Sequence, residues 1–421
     1  MAAASLYYVL AFLYLRPDAN PVPQECENIA RHLAAGEGFS LSWFSTSVQP
    51  SANQEPVYPL LMAMFFRWVP SPYSSLLVLQ VGVWLSAAWI LSGLAQRLVG
   101  ASRPLTALVV ALWPPLGVYA LSYHPLWLRA ATLIFVVTLA LRYRDQPDRW
   151  RSLALGFGLG AAALVRAPFL VLPTLIVPWA ILGDTTSTGS GGGKDREFAE
   201  RISARLNCYL QRLKQRLSHL VIIGIAAGVV LSPWVIRNWV VLGAWVPGTT
   251  TAGYTALLGN HPGASGAMEV EALRPMQKFT GEFWQLPELE RDMVFRQQVI
   301  AFWREHPAEA AGLYLKKLVY LWTWWPNVGV NYRSSWTWGY LALWSMSLPM
   351  ILIGWRLARR NQAAVAPGLF LGLWCFFSLL YALFAVNLRF RFELEGLLLP
   401  YALITARDIV NRVKGRYRLV A

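Results

Sequence analysis

The stretch HLVIIGIAAGVVLSPWVIRNWVVLGAWVP, residues 219–247, decides the class of fold. Its first part is almost continuously apolar and is about as long as a helix that crosses a bilayer. The apolar run ends on Arg237 and Asn238, and a Pro-Trp pair at 233–234 lies just before them. The stretch therefore predicts a transmembrane helix whose end carries a cation and an amide.

The composition of the whole chain agrees with this class. The 421 residues are 56% hydrophobic and only 14% charged, and the mean hydropathy is +0.40. A soluble domain of this size carries a more charged surface. The 21 Trp residues also fit, because Trp collects at membrane interfaces. Three cysteines without a CxxC pair predict neither a disulfide framework nor a zinc site. The fold class is an all-α polytopic membrane protein.

Apolar stretches of spanning length recur along the chain. They are residues 74–96, 104–122, 125–141, 152–182, 219–236, 336–355, 363–386 and 392–406. The stretch 152–182 is too long for one span, and LVRAPF at 164–169 interrupts it, so we expect two short helices with Arg166 at the turn. With residues 2–15 as a first helix, the chain predicts about ten transmembrane helices in a single integral-membrane domain, residues 1–421.

Lys and Arg set the expected orientation, because they mark cytoplasmic loops. Basic loops fall at 97–103, 142–151, 184–218, 356–360 and 407–418. The loop 184–218 opens with GDTTSTGSGGGKD and predicts a flexible basic cytoplasmic connector. The alternation places two long segments, 16–72 and 239–334, outside an inner (cytoplasmic) membrane, facing the periplasm or exterior. The net charge of +15 is spread between apolar runs, so it does not indicate nucleic-acid binding.

Both outer segments carry helical patterns that are too polar or too short to span. These patterns cover residues 24–39, 57–70, 288–307 and 308–325. We expect amphipathic helices that lie at the outer interface.

Several cations collect on the outer face in this topology. They are Arg166, Arg237, Lys316, Lys317, Arg333, Arg389 and Arg391. Cations near a bilayer are costly and usually face a cavity or a partner. One interpretation is that each side chain reaches out to lipid phosphates. For the whole set we favour a shared anionic ligand, because guanidinium groups bind phosphate oxygens in pairs and Lys adds a point charge. A phosphate or pyrophosphate on a lipid tail fits a pocket at these helix ends.

Carboxylates on the same face supply candidates for a general base, which needs only one carboxylate. Asp18, Glu25 and Glu27 lie in the first outer segment. Glu25 and Glu27 are two residues apart, so on a helix they diverge and form no close pair. The histidines His124, His261 and His306 are scattered and predict no metal site.

Six short stretches in one order carry a family resemblance. They are IARHLAAGEGFS (29–40), PVYPLLMA (56–63), ALVRAP (163–168), PWVIRNWVVLGAWVPGTTTAGYTALLGNHPGASG (233–266), REHPAEAAGLYLKKLVYLW (304–322) and RFRFELEGLLLPYA (389–402). In these stretches the chain resembles polytopic glycosyltransferases of the GT-C type. The bacterial branch similar to dolichyl-phosphate-mannose–protein mannosyltransferases and lipid A aminoarabinose transferase is the nearest pattern.

The resemblance implies a GT-C-like fold and an inverting transfer of a sugar from a polyprenyl phosphate at the non-cytoplasmic face. It also implies a lipid, glycan or protein acceptor, with the bilayer as the other partner. A carboxylate of the first outer loop acts as base, and basic residues hold the donor phosphate, on which charge builds in the transition state. No cofactor is predicted, and a divalent metal ion is left open.

Applied to this chain, the resemblance assigns roles to particular residues. Glu25 is the expected base, with Asp18 and Glu27 as the alternatives. The expected donor-phosphate residues are Arg237, Arg166, Arg389, Arg391, Lys316 and Lys317. The expected sugar or acceptor residues are Tyr58, Asn238, Asn260 and His261. For Tyr58 the other interpretation is an interfacial anchor, and for Asn260 and His261 it is turn structure.

The chain departs from the family pattern at two acidic positions. Val22 stands where the first outer loop usually carries Asp, and the region after the third span reads SYHPLWLRAAT, with Arg129 and no acid. These changes support a second hypothesis, a catalytically impaired protein that acts as a lipid-phosphate binder, flippase or assembly partner. An ion-coupled transporter is the least favoured, because we read no mid-membrane Asp or Glu in the predicted spans.

Overall fold

The computed structural model describes residues 2–15, 25–42, 48–182, 214, 216–268, 281–323, 334–360 and 367–420. Within these ranges the chain is almost entirely helical. The helices are α1 (Ala2–Leu15), α2 (Glu25–Ala35), α3 (Val57–Trp68), α4 (Pro72–Val99), α5 (Arg103–Ala111), α6 (Pro114–Ala120), α7 (Leu126–Asp145), α8 (Arg149–Val165), α9 (Pro173–Leu182), α10 (Leu217–Leu242), α11 (Ala252–Leu258), α12 (Gly281–Gln285), α13 (Glu288–Glu305), α14 (Pro307–Trp322), α15 (Ser334–Arg360), α16 (Pro367–Tyr381) and α17 (Arg389–Val420).

Two short strands complete the described structure. β1 (Ser40–Leu41) and β2 (Gln49–Pro50) pair antiparallel, with Ser40 opposite Pro50. A 3₁₀ turn, Ala167–Val171, connects α8 to α9. The hairpin and this turn both lie beside the candidate site described below.

Four helices in the described ranges are long and apolar enough to cross a membrane, and they coincide with α4, α7, α10 and most of α15. The total of about ten spans is therefore not confirmed. One reason is that two of the predicted spans are each broken into shorter helices. The predicted span 104–122 forms α5 and α6, which are separated just before Pro114 and Pro115. The predicted span 152–182 breaks at Arg166 into α8, the 3₁₀ turn and α9, as its sequence predicts.

Several predicted helix ends are wrong. α10 does not end on Arg237 and Asn238 but continues to Leu242 and ends at Gly243, whose φ of 69° closes the helix in the left-handed conformation. The basic stretches 356–360 and 407–418 are not loops, because α15 and α17 run through them. These predictions place a helix end at charged residues, although charge alone does not break a helix.

The four amphipathic patterns of the outer segments do form helices, α2, α3, α13 and α14. Their place at the membrane interface stays a prediction. Most of the predicted connector 184–218, Asp18, Val22 and Arg333 lie outside the described residues.

Close backbone contacts hold the long helices together. A Cβ on Gly156 would lie 2.5 Å from the carbonyl oxygen of Ile223, and one on Gly160 would lie 2.7 Å from that of Ala227. α8 and α10 therefore touch backbone to backbone, as small residues allow in membrane helices. A Cβ on Gly354 would overlap the carbonyl oxygen of Tyr401, so α15 and α17 are equally close.

The opposite face of α10 remains open. Val221, Ile225, Val229, Ile236 and Val240 each expose more than half of their surface. Such a stripe of exposed apolar side chains is too long for a water-facing helix and is the pattern expected of a lipid-facing one.

Candidate functional site

Four buried charges form a closed ring where four parts of the chain meet. Glu55 precedes α3, Arg129 lies in the first turn of α7, Arg166 follows α8, and Glu393 lies near the start of α17. Arg129 is 3.2 Å from Glu55 and 3.8 Å from Glu393. Arg166 is 3.7 Å from Glu55 and 3.4 Å from Glu393. The four side chains expose between 2% and 13% of their surface. We call this ring the quartet.

The carboxylate of Glu55 is firmly held within the quartet. One oxygen accepts a hydrogen bond from the backbone N–H of Ala167 at 3.0 Å, and the other accepts one from Nη2 of Arg129 at 3.2 Å. Burial alone would raise the pKa of Glu55, but the guanidinium groups of Arg129 and Arg166 outweigh it and lower the pKa overall. Glu55 is therefore ionised and fixed in orientation.

The carboxylate of Glu393 is held less completely. Its Oε2 accepts a hydrogen bond from the hydroxyl of Tyr381 at 2.9 Å. Its Oε1 faces both arginines at ion-pair distances but has no hydrogen bond in the described structure. Charge-assisted N–H···O bonds are usually about 2.7–2.9 Å long. The contacts of Glu393 Oε1 are thus attractive but poorly formed.

Three buried polar atoms of the quartet have no hydrogen-bond partner in the described ranges. They are Nε of Arg129, Nε of Arg166 and Oε1 of Glu393. Buried polar groups are nearly always hydrogen-bonded, so each exception needs an explanation. A site that binds water or a polar ligand explains several exceptions in one place.

A neutral histidine and a third arginine lie beside the quartet. Nδ1 of His124 accepts a hydrogen bond from the backbone N–H of Leu126 at 3.2 Å, so Nε2 carries the hydrogen. Burial first, then the charges of Arg389, Arg129 and Arg166, lowers the pKa of His124 well below 6.5. The surroundings of His124 are therefore positive, which favours an anion.

Arg237, the predicted phosphate residue of the opening stretch, bonds to the protein backbone. Nη1 donates to the carbonyl oxygen of Ser51 at 2.6 Å and to Oδ1 of Asn238 at 2.9 Å, and Nη2 donates to the carbonyl oxygen of Phe39 at 2.6 Å. Asn238 is fully buried and donates to the carbonyl oxygen of Val246 at 2.8 Å. Arg237 thus ties the first outer segment to α10, and Asn238 holds Arg237 and the residue Val246 that follows the helix.

Glu288, at the start of α13, holds the same segment from the other side. Its carboxylate accepts hydrogen bonds from Ser51 Oγ at 2.6 Å, from the backbone N–H of Ala52 at 2.8 Å and from the hydroxyl of Thr250. We call these contacts with those of Arg237 the outer clamp. The outer clamp fixes residues that precede Glu55 by only three or four positions.

Arg391, also predicted to hold phosphate, lies in a separate buried network. It is fully buried and donates to Glu395 at 3.0 Å, to the hydroxyl of Tyr340 at 2.7 Å and to the carbonyl oxygens of Leu321 and Thr323 at 3.1 and 3.0 Å. The last two are carbonyls at the C-terminal end of α14, where a cation is favourable. Its Nη2 has no partner in the described structure.

The two predicted lysines differ sharply. Lys316 is exposed and lies over the ring of Tyr320, with 5.3 Å from Nζ to the ring centroid. Lys317 is fully buried and donates to Oδ1 of Asn260 at 2.8 Å and to the carbonyl oxygen of Gly259 at 3.3 Å. Burial lowers the pKa of Lys317 to about 8. The structure does not bring either lysine to the quartet.

The four predicted sugar or acceptor residues are buried and mostly bonded internally. Tyr58 is 2% exposed, and its hydroxyl donates to Gln80 at 2.7 Å. Asn260 donates to the carbonyl oxygens of Ala256 and Leu383. Nδ1 of His261 donates to the carbonyl oxygen of Pro262, and the buried Nε2 has no partner in the part of the chain that is described. The burial of Tyr58 does not fit an exposed interfacial anchor.

The predicted bases also separate. Glu25, half-buried at the start of α2, makes no ion pair or side-chain hydrogen bond with any described residue. Burial first, and then the charge of Glu25, raises the pKa of Tyr254 to about 12. Glu27 is bonded to Arg31 at 2.9 Å and to the hydroxyl of Tyr73 at 2.6 Å. Asp18 lies outside the described residues.

No group of three His, Cys, Asp or Glu side chains that could hold a metal ion occurs in the described ranges. Of the predicted residues, only Arg166 belongs to the quartet, with Arg389 beside it. Sequence reasoning assigned no role to Glu55, Arg129 and Glu393. A signal was present, because Arg129 and Glu393 are opposite charges inside the predicted spans 125–141 and 392–406, and such charges usually pair.

Comparisons with known proteins add one neighbour. No protein-family model matches the chain, and no curated protein matches it. Among solved structures, the chain is similar to ArnT from Cupriavidus metallidurans bound to undecaprenyl phosphate, with a TM-score of 0.41 and 14% identity over 94% of this chain and 77% of that chain. At this level the similarity assigns neither a family nor a substrate to the chain.

Proposed function

We propose that the chain is a membrane glycosyltransferase of the inner membrane. It transfers a sugar from a polyprenyl phosphate to a hydroxyl or phosphate of an acceptor at the periplasmic or exterior face, with inversion. The observation that carries the proposal is the quartet: Arg129 and Arg166 each keep an Nε–H without a hydrogen-bond partner in the described structure. Guanidinium groups with free donors are suited to a phosphate.

The chemistry of the transfer fits this arrangement. The sugar leaves with the phosphate, so negative charge builds on the phosphate oxygens in the transition state. Arg129, Arg166 and Arg389 stabilise that charge, and they need no reorganisation because the surrounding contacts already fix Arg129 and Arg166. His124 adds an N–H donor at Nε2 while remaining uncharged.

Glu25 is the proposed base, with Asp18 and Glu27 as alternatives. A base must be free to accept the proton of the acceptor hydroxyl. Glu27 and Glu55 are bonded to cations, whereas Glu25 has no partner among the described residues. His261, with a buried and partnerless Nε2 in the described structure, is the proposed contact for a sugar or acceptor hydroxyl. Tyr58, Asn238 and Asn260 shape the surrounding pocket.

The other predicted phosphate residues support the site from a distance in this proposal. Arg237 holds the loop that carries Glu55, Arg391 fixes the start of α17, and Lys317 fixes the turn at Asn260. Lys316, which is exposed, meets lipid phosphates at the surface.

A transfer assay tests the proposal. Purified protein in nanodiscs is mixed with radiolabelled polyprenyl-phosphate sugars and an envelope extract as acceptor. We expect transfer in the native chain, loss of transfer in Glu25→Gln, and loss in Arg166→Gln. Glu305→Gln, an exposed charge on α13, is the matched control and should transfer normally. Full activity of Glu25→Gln would move the base to Asp18 or Glu27.

A second function is favoured by a different observation. Val22 and Arg129 stand where acids are expected, and both carboxylates of the quartet face arginines. A lipid-phosphate binder, flippase or assembly partner needs the anion site but no base. The absence of transfer with every donor, together with retained binding of a polyprenyl phosphate, would favour this function.

A further inference from the structure

The two carboxylates of the quartet are not equivalent. Glu55 is fixed by a backbone N–H of Ala167 and by a hydrogen bond from Arg129. Glu393 reaches the same two arginines only through Oε1, which has no hydrogen bond at all in the described structure. Glu55 therefore holds the two arginines in place, whereas Glu393 lies between them without forming hydrogen bonds to them.

The incomplete bonding of Glu393 has an energetic meaning. A buried carboxylate oxygen loses its water, and attraction to cations compensates this fully only when hydrogen bonds form as well. Oε1 lies 3.4 Å from Nε of Arg166 and 3.8 Å from Nη1 of Arg129, which is too far for good bonds. Another oxygen anion that could approach both guanidinium groups more closely would therefore replace it.

A phosphate group has the chemistry to do so. Its oxygens are spread over a tetrahedron, so two of them can each accept from a different guanidinium group. The N–H donors required, Nε of Arg129 and Nε of Arg166, are the ones left without a hydrogen-bond partner among the described residues. Arg166 is the least buried of the four side chains, with 13% of its surface exposed, although both Nε atoms are buried.

We propose that Glu393 is an internal competitor of the phosphate site: its Oε1 occupies the place between Arg129 and Arg166 that a phosphate group takes on binding. Oε2 keeps its hydrogen bond from the hydroxyl of Tyr381, so the carboxylate turns about this contact and Oε1 moves away from the arginines. Glu55 does not move, because its backbone bond holds it, and it keeps both arginines in position. The inference rests on the proposed function only for the lipid that carries the phosphate.

The competition predicts opposite effects for two substitutions of the same kind. Glu393→Gln removes the competing charge, so binding of a phosphate should become about tenfold tighter. This gain corresponds to a fraction of the Coulomb attraction between Glu393 and the arginines at this distance, for an effective dielectric constant of about 20. Glu55→Gln removes the charge that holds the arginines in place, and binding should become weaker. Glu393→Asp keeps the charge but withdraws it from the arginines, so its affinity should lie between those of the native chain and Glu393→Gln.

The experiment measures binding of decaprenyl phosphate to the full chain in nanodiscs by the quenching of Trp fluorescence. Neutral decaprenol is the control for the lipid tail, and Glu305→Gln is the control for net charge; neither should show the tenfold gain. Competition by inorganic phosphate distinguishes the sources of the ligand: displacement by millimolar inorganic phosphate indicates recognition of the phosphate alone, and its failure indicates that the lipid is needed as well.

The result that would overturn the inference is an unchanged or reduced affinity in Glu393→Gln. If that variant does not fold, Glu393→Asp decides the question. If Glu393 instead serves to position the arginines, shortening it should make the protein bind phosphate more weakly, not more tightly. The outcome is independent of transfer. Tighter binding in Glu393→Gln without any transfer by the native chain would support Glu393 as a competitor of the phosphate and would refute the proposed glycosyltransferase activity.

Discussion

The ion pair of Arg391 and Glu395 offers the clearest test of how buried charges stabilise this protein. Both side chains are completely buried, 3.0 Å apart. Arg391→Met keeps an unbranched apolar stem and removes the charged guanidinium group. Among the described residues, the carboxylate of Glu395 then keeps only the hydroxyl of Tyr340 and Nε1 of Trp113 as donors.

The expected cost follows from this exposure of one charge to an apolar interior. Removing one partner of a buried pair destabilises a protein by about 3–5 kcal/mol, because the other charge stays without compensation. Two carbonyl oxygens at the end of α14 lose their donor as well. The double substitution Arg391→Met with Glu395→Gln removes both charges and keeps one amide oxygen as an acceptor for Tyr340 or Trp113. It should recover more than half of the lost free energy of unfolding.

The assay is reversible unfolding in mixed detergent micelles with increasing dodecyl sulfate, followed by Trp fluorescence. A single variant within about 0.5 kcal/mol of the native chain would refute the reasoning, since that is the range of ordinary surface substitutions. A double variant no more stable than the single one would refute it too. The folded double variant should bind decaprenyl phosphate as the native chain does, because none of the described contacts of Arg391 is shared with the quartet; weaker binding would return Arg391 to the phosphate site.

Three further predictions address other parts of the molecule. The pKa of Lys317 is lowered by burial to about 8, so between about pH 8 and 10.4 the unfolded chain holds a proton that the folded chain has released; the free energy of unfolding should rise across this window by up to about 3 kcal/mol, and Lys317→Met should flatten the rise. Arg237→Ala opens the outer clamp and should speed amide hydrogen exchange in residues 48–56, with unchanged exchange contradicting the clamp. Gly354→Ala should lower the free energy of unfolding by about 1–3 kcal/mol, because its Cβ would meet the backbone of α17; Gly339→Ala, on the same helix with open space around it, is the control and should lose nothing.

Local sequence patterns predicted the helices well where one residue type dominates the conformation. Arg166 and Pro168 interrupt a long apolar run, and the chain turns there. The polar periodicity of 24–39 and 288–307 yields α2 and α13. The patterns failed where a charge was taken for a helix end: Gly243, six residues after Arg237, was the better signal because only glycine readily adopts its positive φ.

The quartet could not be predicted in the same way. Glu55 and Arg129 are separated by 74 positions, and their contact depends on how α3 and α7 pack. The outer-face cations Arg166 and Arg237 look alike in the sequence, yet one faces carboxylates and the other faces backbone carbonyls. Sequence indicates that a charge near a span must find a partner, whereas only the tertiary structure decides which one.

The start of α17 limits which parts of this molecule can move. Arg391 and Glu395 bond to α14 and α15 through one side of the helix, and Glu393 bonds to α16 and the quartet through another. A rotation or a sliding of α17 would break both sets of bonds together, so the start of this helix is fixed relative to its neighbours. Any opening for a large substrate must then come from elements other than the start of α17.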